Sequence, residues 1–64
     1  MPQFQITTVS GVDYVEGVSR RFECFGRTET LTGYDFSGDY VDLHFSGGLT
    51  VSVPEAQIAH IITA

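Results

Sequence analysis

The chain has 64 residues, with eight acidic side chains against three arginines and no lysine, so its formal charge is −5 near neutral pH. That length makes one domain, 1–64, burying only roughly 60% of the surface its unfolded chain exposes; a lone cysteine rules out an intrachain disulfide, and two histidines are a thin basis for a metal staple, which leaves self-association as extra support. The acidic balance disfavours non-specific binding to phosphate backbones, and no apolar run approaches the roughly 20 residues needed to span a bilayer.

Gln3 to Val9 alternates and is rich in β-branched side chains, which predicts a first strand with Phe4 and Ile6 inward. Ser10-Gly11 ends it. From Val12 to Ser19 the pattern weakens, and the glycines at 11 and 17 argue against a helix, so this segment reads as a short strand or an irregular connection. Arg20 to Phe25 alternates again, placing Phe22 with Cys24 and Arg21 with Glu23. Cys24 then reads as a small buried hydrophobe, because no neighbouring base marks it as a reactive thiol. Gly26 to Glu29 forms a turn into a strand over Thr30 to Phe36, with Gly33 as the kink that lets a small sheet bend on itself. Simple alternation sets Tyr34 and Phe36 on the face opposite Leu31.

The clearest pattern lies between Leu31 and Ile61. After a turn at Ser37-Gly38, Tyr40 to Phe45 alternates with Val41, Leu43 and Phe45 on one face and Tyr40, Asp42 and His44 on the other. Ser46-Gly47-Gly48 is a hairpin loop feeding Leu49 to Val53, where Leu49, Val51 and Val53 continue the apolar face. Pro54 lacks a donor for a strand ladder but suits the start of a helical turn, with Glu55 at the favourable end of the dipole, so 54–57 reads as one 3₁₀ turn. A last strand runs around Ile58 to Ile62. About five or six short strands and no long helix indicate an all-β fold: a small, strongly bent antiparallel barrel of SH3-like shape.

The order of elements resembles the Sm-like family, which includes the bacterial Hfq proteins, over about residues 22–62. Gly33-Tyr34-Asp35 is similar to the glycine and aromatic-Asp pair of the family's first motif, Tyr40-Val41-Asp42-Leu43 to its second half, and Gly47-Gly48 to the turn that follows. Val53 to Ile61 is similar to the second motif. The chain departs from the pattern by a few extra residues around Phe36-Ser37-Gly38, by Asp42 where the family carries asparagine, and by Glu55 and Ala56 where Hfq-type members place lysine and histidine. The resemblance implies a barrel that pairs strand edges into a ring and a pore that grips uracil-rich RNA. The RNA set implied here is Tyr34, Tyr40 and Asp42, with Arg20, Arg21 and Arg27 as the chain's basic groups.

Read from the residues alone, Asp42 and His44 share a strand face with Tyr40 and could orient a general base or hold part of a metal site. The plainer account is that the solvent face of a strand produces such pairs routinely. His60 could add a ligand only if the final strand returned beside Asp42. No catalytic residues, no metal and no cofactor are expected, and the protein is not expected to be an enzyme. The apolar ending suggests a homo-oligomer interface built from Val51, Val53, Ile58, Ile61 and Ile62.

The leading expectation is therefore a self-associating binding or assembly module. An RNA-binding Sm-like protein is one alternative. Another is an acidic inhibitor of a nucleic-acid enzyme, borne by a phage or mobile element, which would need Asp35, Asp39, Asp42 and Glu55 to line one surface. MPQFQITT lacks the basic start and apolar centre of a secretion signal, so a cytoplasmic location without a membrane partner is expected.

Overall fold

A computed structural model describes residues 2–64. Seven strands are separated by turns: β1 (Phe4–Thr8), β2 (Asp13–Val15), β3 (Ser19–Phe22), β4 (Arg27–Ser37), β5 (Tyr40–Phe45), β6 (Thr50–Pro54) and β7 (Ile58–Thr63). Two short 3₁₀ turns, Glu23–Phe25 and Glu55–Gln57, precede β4 and β7. The fold is all-β, as its alternating patterns predict. The strands form one sheet in the order β3-β4-β5-β6, curled strongly into a half-barrel, and a second in the order β2-β1-β7.

Every pairing is antiparallel. The weakly patterned segment after Ser10 holds β2 and the start of β3, so the strands among the described residues number seven rather than five or six. These two pieces turn a corner at Gly17, whose φ of 84° suits a residue without a side chain. The Gly17 N–H donates to the Leu31 carbonyl at 2.9 Å and the Leu31 N–H donates to the Val18 carbonyl at 3.4 Å. The corner thus stitches the small sheet to β4 of the curled one.

Two sequence expectations are corrected around β4. The strand that enters at Arg20 stops at Phe22, and Cys24 sits exposed on the 3₁₀ turn instead of beside Phe22 in the core. Phe22 itself packs edge-to-face on Phe45 with ring centroids 4.9 Å apart. Strand β4 then starts at Arg27, inside what reads locally as a turn.

The second correction is one of phase. Leu31 pairs with Phe45 and Gly33 with His44, so Thr32 is an extra residue, a bulge whose Oγ1 donates to the His44 carbonyl at 3.0 Å. The bend lies there, next to the glycine expected to supply it. One additional residue reverses the alternation beyond it. Leu31 and Tyr34 consequently share the inner face, and Tyr34 meets Phe4 edge-to-face at 4.7 Å. Phe36 follows on the same side but runs past the core, and is 62% exposed.

Phe4 and Ile6 of β1 join Leu31, Val41, Leu43, Phe45 and Val53 in a single core between the sheets. Ile6, Leu31, Val41 and Leu43 are the largest fully buried side chains. Each such burial stabilises by roughly 1.5–3 kcal/mol relative to exposure, which makes these few residues decisive in so small a domain.

Candidate functional site

The outer face of β4, β5 and β6 gathers most of the polar groups singled out in the sequence. Tyr40, Asp42 and His44 alternate along β5 as expected, but Asp42 and His44 do not pair with one another. His44 Nε2 lies 2.8 Å from Asp35 Oδ2 on β4, and Ser52 Oγ on β6 donates to Asp42 Oδ1 at 2.7 Å. Asp35 and Asp42 stand directly opposite across the β4–β5 ladder. The serine and the histidine are each held by a different carboxylate, so this arrangement activates no hydroxyl for nucleophilic attack.

The same face continues to the hairpin end. Tyr40 is opposite Ser37 on one side and Pro54 on the other, and is 48% exposed. Beside it the Glu55 N–H donates to the Asp39 carbonyl at 2.8 Å, drawing the start of the second 3₁₀ turn against the β4–β5 turn. Asp39, Tyr40, Pro54, Glu55 and Ala56 line a shallow depression there. Asp35 and Asp42 thus share the outer face with Tyr40, while Asp39 and Glu55 border the depression at its hairpin end.

The arginines occupy the other end of β4. Arg20 lies over the Tyr14 ring at 4.6 Å from its centroid, and Arg21 Nε is 3.7 Å from Glu23 Oε1 on the surface. Arg27 Nε approaches Glu29 Oε2 at 2.7 Å, and Arg27 Cζ lies 5.9 Å from the Phe25 ring centroid. Tyr40 pairs with Ser37 at the opposite end of the strand that Arg27 begins, and Tyr34 faces the core. The RNA set implied by the sequence resemblance is thus divided among two ends and two faces.

Glu29 is the residue the sequence reading passed over. Its side chain is only 4% exposed, and its carboxylate binds Arg27 on its own strand and accepts the Gly47 N–H at 3.1 Å. The local signal is slight: an alternation that sets Glu29 in phase with Leu31.

His60, on β7, is opposite Thr7 in the second sheet and does not return beside Asp42. Among the described residues, no group of three or more His, Cys, Asp or Glu side chains is placed to hold a metal ion. No helix among them is long and apolar enough to cross a membrane.

The residues expected at an oligomer interface divide by depth. Val53 is a core residue, 9% exposed, and is removed from that set because its side chain points between the sheets. Val51, Ile58 and Ile61 are half-buried at the rim of the core, whereas Ile62 is exposed on the outer face of β7. Among the described residues β6 pairs only with β5 and β7 only with β1, so the half-barrel does not close through a β6–β7 ladder.

Hydrogen-bond phase shows what these open edges present. The Phe45 N–H donates to the Leu49 carbonyl and the Glu55 N–H to that of Asp39. In an antiparallel ladder bonded and non-bonded pairs alternate, so Thr50 and Ser52 turn their N–H and C=O groups away from β5. Pro54 shares that phase, where its missing donor costs the ladder nothing. On β7 the Ala64 N–H donates to the Gln3 carbonyl, which leaves Ile61 and Thr63 with outward backbone groups.

No family model matches the chain, and neither the curated proteins nor the solved structures yield a significant match.

Proposed function

We propose that the protein is a non-enzymatic binding or assembly module that associates with copies of itself edge to edge, in the way its sequence resemblance to Sm-like rings implies. The observation that carries this reading is the pair of open edges, β6 with outward Thr50 and Ser52 and β7 with outward Ile61 and Thr63. Unpaired edges of this kind are templates for another strand. Val51, Ile58 and Ile61 at the rim of the core supply apolar surface that such pairing would cover. A domain of this size also gains much from added burial, because its own core is limited.

The test is the solution mass, measured by light scattering coupled to gel filtration under reducing conditions, for the native chain and for Ser52→Pro and Ile61→Asp. Ser52→Pro removes an outward N–H together with the hydroxyl bond to Asp42, and leaves the backbone donors to β5 in place. A closed oligomer that dissociates to folded monomers in this variant supports edge pairing. A native chain that is monomeric at high concentration overturns it, as does an oligomer that ignores both substitutions.

A further inference from the structure

The curled sheet is also open at the edge opposite β6. Among the described residues β3 pairs only with β4, and Ser19, Arg20 and Arg21 are exposed along it. Which of its backbone groups face outward follows from Thr30, the residue opposite Ser19. The Thr30 N–H donates to Ser46 Oγ at 3.2 Å and the Thr30 carbonyl accepts the Ser46 N–H at 2.9 Å, so both point away from β3. Ser19 and Thr30 are therefore a non-bonded pair, as are Arg21 and Thr28, and Ser19 and Arg21 turn their N–H and C=O groups into solvent. Their side chains share the outer face, since on the other face Arg20 lies over Tyr14 and Phe22 packs on Phe45. The same combination stands on β6, where Thr50 and Ser52 carry both outward backbone groups and outer side chains. On β7 it is reversed: Ile61 and Thr63 have outward backbone groups, but their side chains fall on the core side, opposite Ile6 and Phe4. Opposed residues of an antiparallel pair project to one face. Joining β6 to β7 of another copy would run a solvent face into a core face, whereas joining β6 to β3 keeps outer with outer and inner with inner.

We infer that β6 of one copy pairs antiparallel with β3 of the next, so that the curled sheets run on from copy to copy. This pairing rests on the edge-to-edge association proposed above and names the edge that β6 meets. Two complete bonded pairs form when Ser19 stands opposite Ser52 of the next copy and Arg21 opposite its Thr50. A shift of two residues would bring Ser19 to Pro54, which has no N–H to give. The opposite shift would bring Arg21 to Gly48, whose N–H is already donated to the Phe45 carbonyl at 3.1 Å. On the inner side the chosen register sets Phe22 beside Leu49 of the next copy, both of them at the rim of the core. Charge selects the same match. All three arginines lie on β3 or at the start of β4, and Arg21, 3.7 Å from Glu23 on the surface, stands on the outer face. Asp42 of the next copy lies on that face too, one strand behind Ser52. Pairing β3 with β3 would set equivalent arginines directly against one another. Pairing β6 with β6 would bring two Asp42-bearing faces together in copies that each carry a charge of −5. The β3–β6 contact is head to tail and uses both edges of the curled sheet in every copy.

The test blocks one edge at a time in the whole chain. Ser19→Pro removes an outward N–H of β3, with the Ser19–Thr30 hydroxyl contact, and leaves the backbone bonds of Arg20 and Phe22 to β4 in place. Ser52→Pro does the same to β6. Light scattering under reducing conditions gives an oligomer for the native chain, a monomer for each variant alone and a one-to-one dimer when the two variants are mixed, since each keeps the edge the other lacks. An oligomer that survives Ser19→Pro overturns the β3 assignment, and if it yields to Ser52→Pro or Ile61→Asp, edge association itself still stands. Two variants that stay monomeric on mixing also overturn the assignment. A monomeric native chain overturns both readings. Circular dichroism verifies that the variants are folded; where a proline variant is not, disulfide trapping in a Cys24→Ser background decides. Opposed bonded residues bring their Cα atoms to about 5.5 Å, within reach of a disulfide. Oxidising a mixture of Ser19→Cys and Ser52→Cys chains therefore gives a mixed cross-linked dimer, and Ser52→Cys with Thr63→Cys, on the β7 edge, does not. No mixed dimer in the first mixture, or equal cross-linking in both, overturns the pairing.

Discussion

Glu29 and Gly47 occupy each other's space: the glycine N–H donates to Glu29 Oε1 at 3.1 Å, and the carboxylate fills the position where a Cβ on residue 47 would stand. This contact ties the loop after β5 to the middle of the curled sheet, with Arg27 at 2.7 Å closing the other side of the carboxylate. The Ser46 N–H, donating to the Thr30 carbonyl at 2.9 Å, runs beside it.

Gly47→Ala should therefore destabilise the fold by about 1–3 kcal/mol, since the displaced carboxylate loses a buried hydrogen bond. Glu29→Ala should cost a similar amount. In the Glu29→Ala background the Gly47→Ala change should be close to neutral, because the clash has gone. Urea unfolding of the four proteins in this cycle reads the coupling directly, and additive effects would show that the two residues do not share one space.

The bulge at Thr32 makes a contrast between two neighbouring aromatics. Tyr34 packs edge-to-face on Phe4 and borders the core, whereas Phe36 is largely exposed. Tyr34→Ala should cost about 2–4 kcal/mol and Phe36→Ala less than about 1 kcal/mol by chemical denaturation. Strict alternation from Leu31 would instead put both rings on the solvent face, with small and similar effects.

Leu43 is fully buried and lies opposite Tyr34 and Val51 on its two neighbours. Leu43→Ala should lose about 2–5 kcal/mol. A core of this size rarely supplies more than about 3–5 kcal/mol in total, so the variant should be largely unfolded at room temperature by circular dichroism.

Cys24 lies exposed on the 3₁₀ turn between β3 and β4. It should react fully with a maleimide or an aromatic disulfide under native conditions, without denaturant. Cys24→Ser should change stability by less than about 0.5 kcal/mol, as surface substitutions usually do. Protection of the thiol from the reagent would place it back in the core.

Local pattern carried much of this fold. Alternation in β1, β5 and β6 placed Phe4, Ile6, Val41, Leu43, Phe45 and Val53 correctly inside, and Pro54 marked the 3₁₀ turn before β7. These features are legible because side-chain direction in a strand has a period of two and because proline restricts its own backbone. Tyr40, Asp42 and His44 were placed on one outer face for the same reason.

Other features depend on which strand lies beside which, and no single segment encodes them. The Gly17 corner exists to pass the chain between two sheets, and the Thr32 bulge is defined only against Phe45 and His44 across the ladder. That one unpaired residue decides that Tyr34 belongs to the core. Cross-strand register likewise sets Asp35 against Asp42, and the Glu55–Asp39 backbone bond joins the second 3₁₀ turn to the β4–β5 turn beside Tyr40. Sequence alone determined an all-β chain with its apolar faces and an excess of negative charge; tertiary pairing decided where that charge collects and which edges stay open. The physical reason is that strand periodicity is a property of consecutive residues, whereas register and burial are set by contacts between residues distant in the chain.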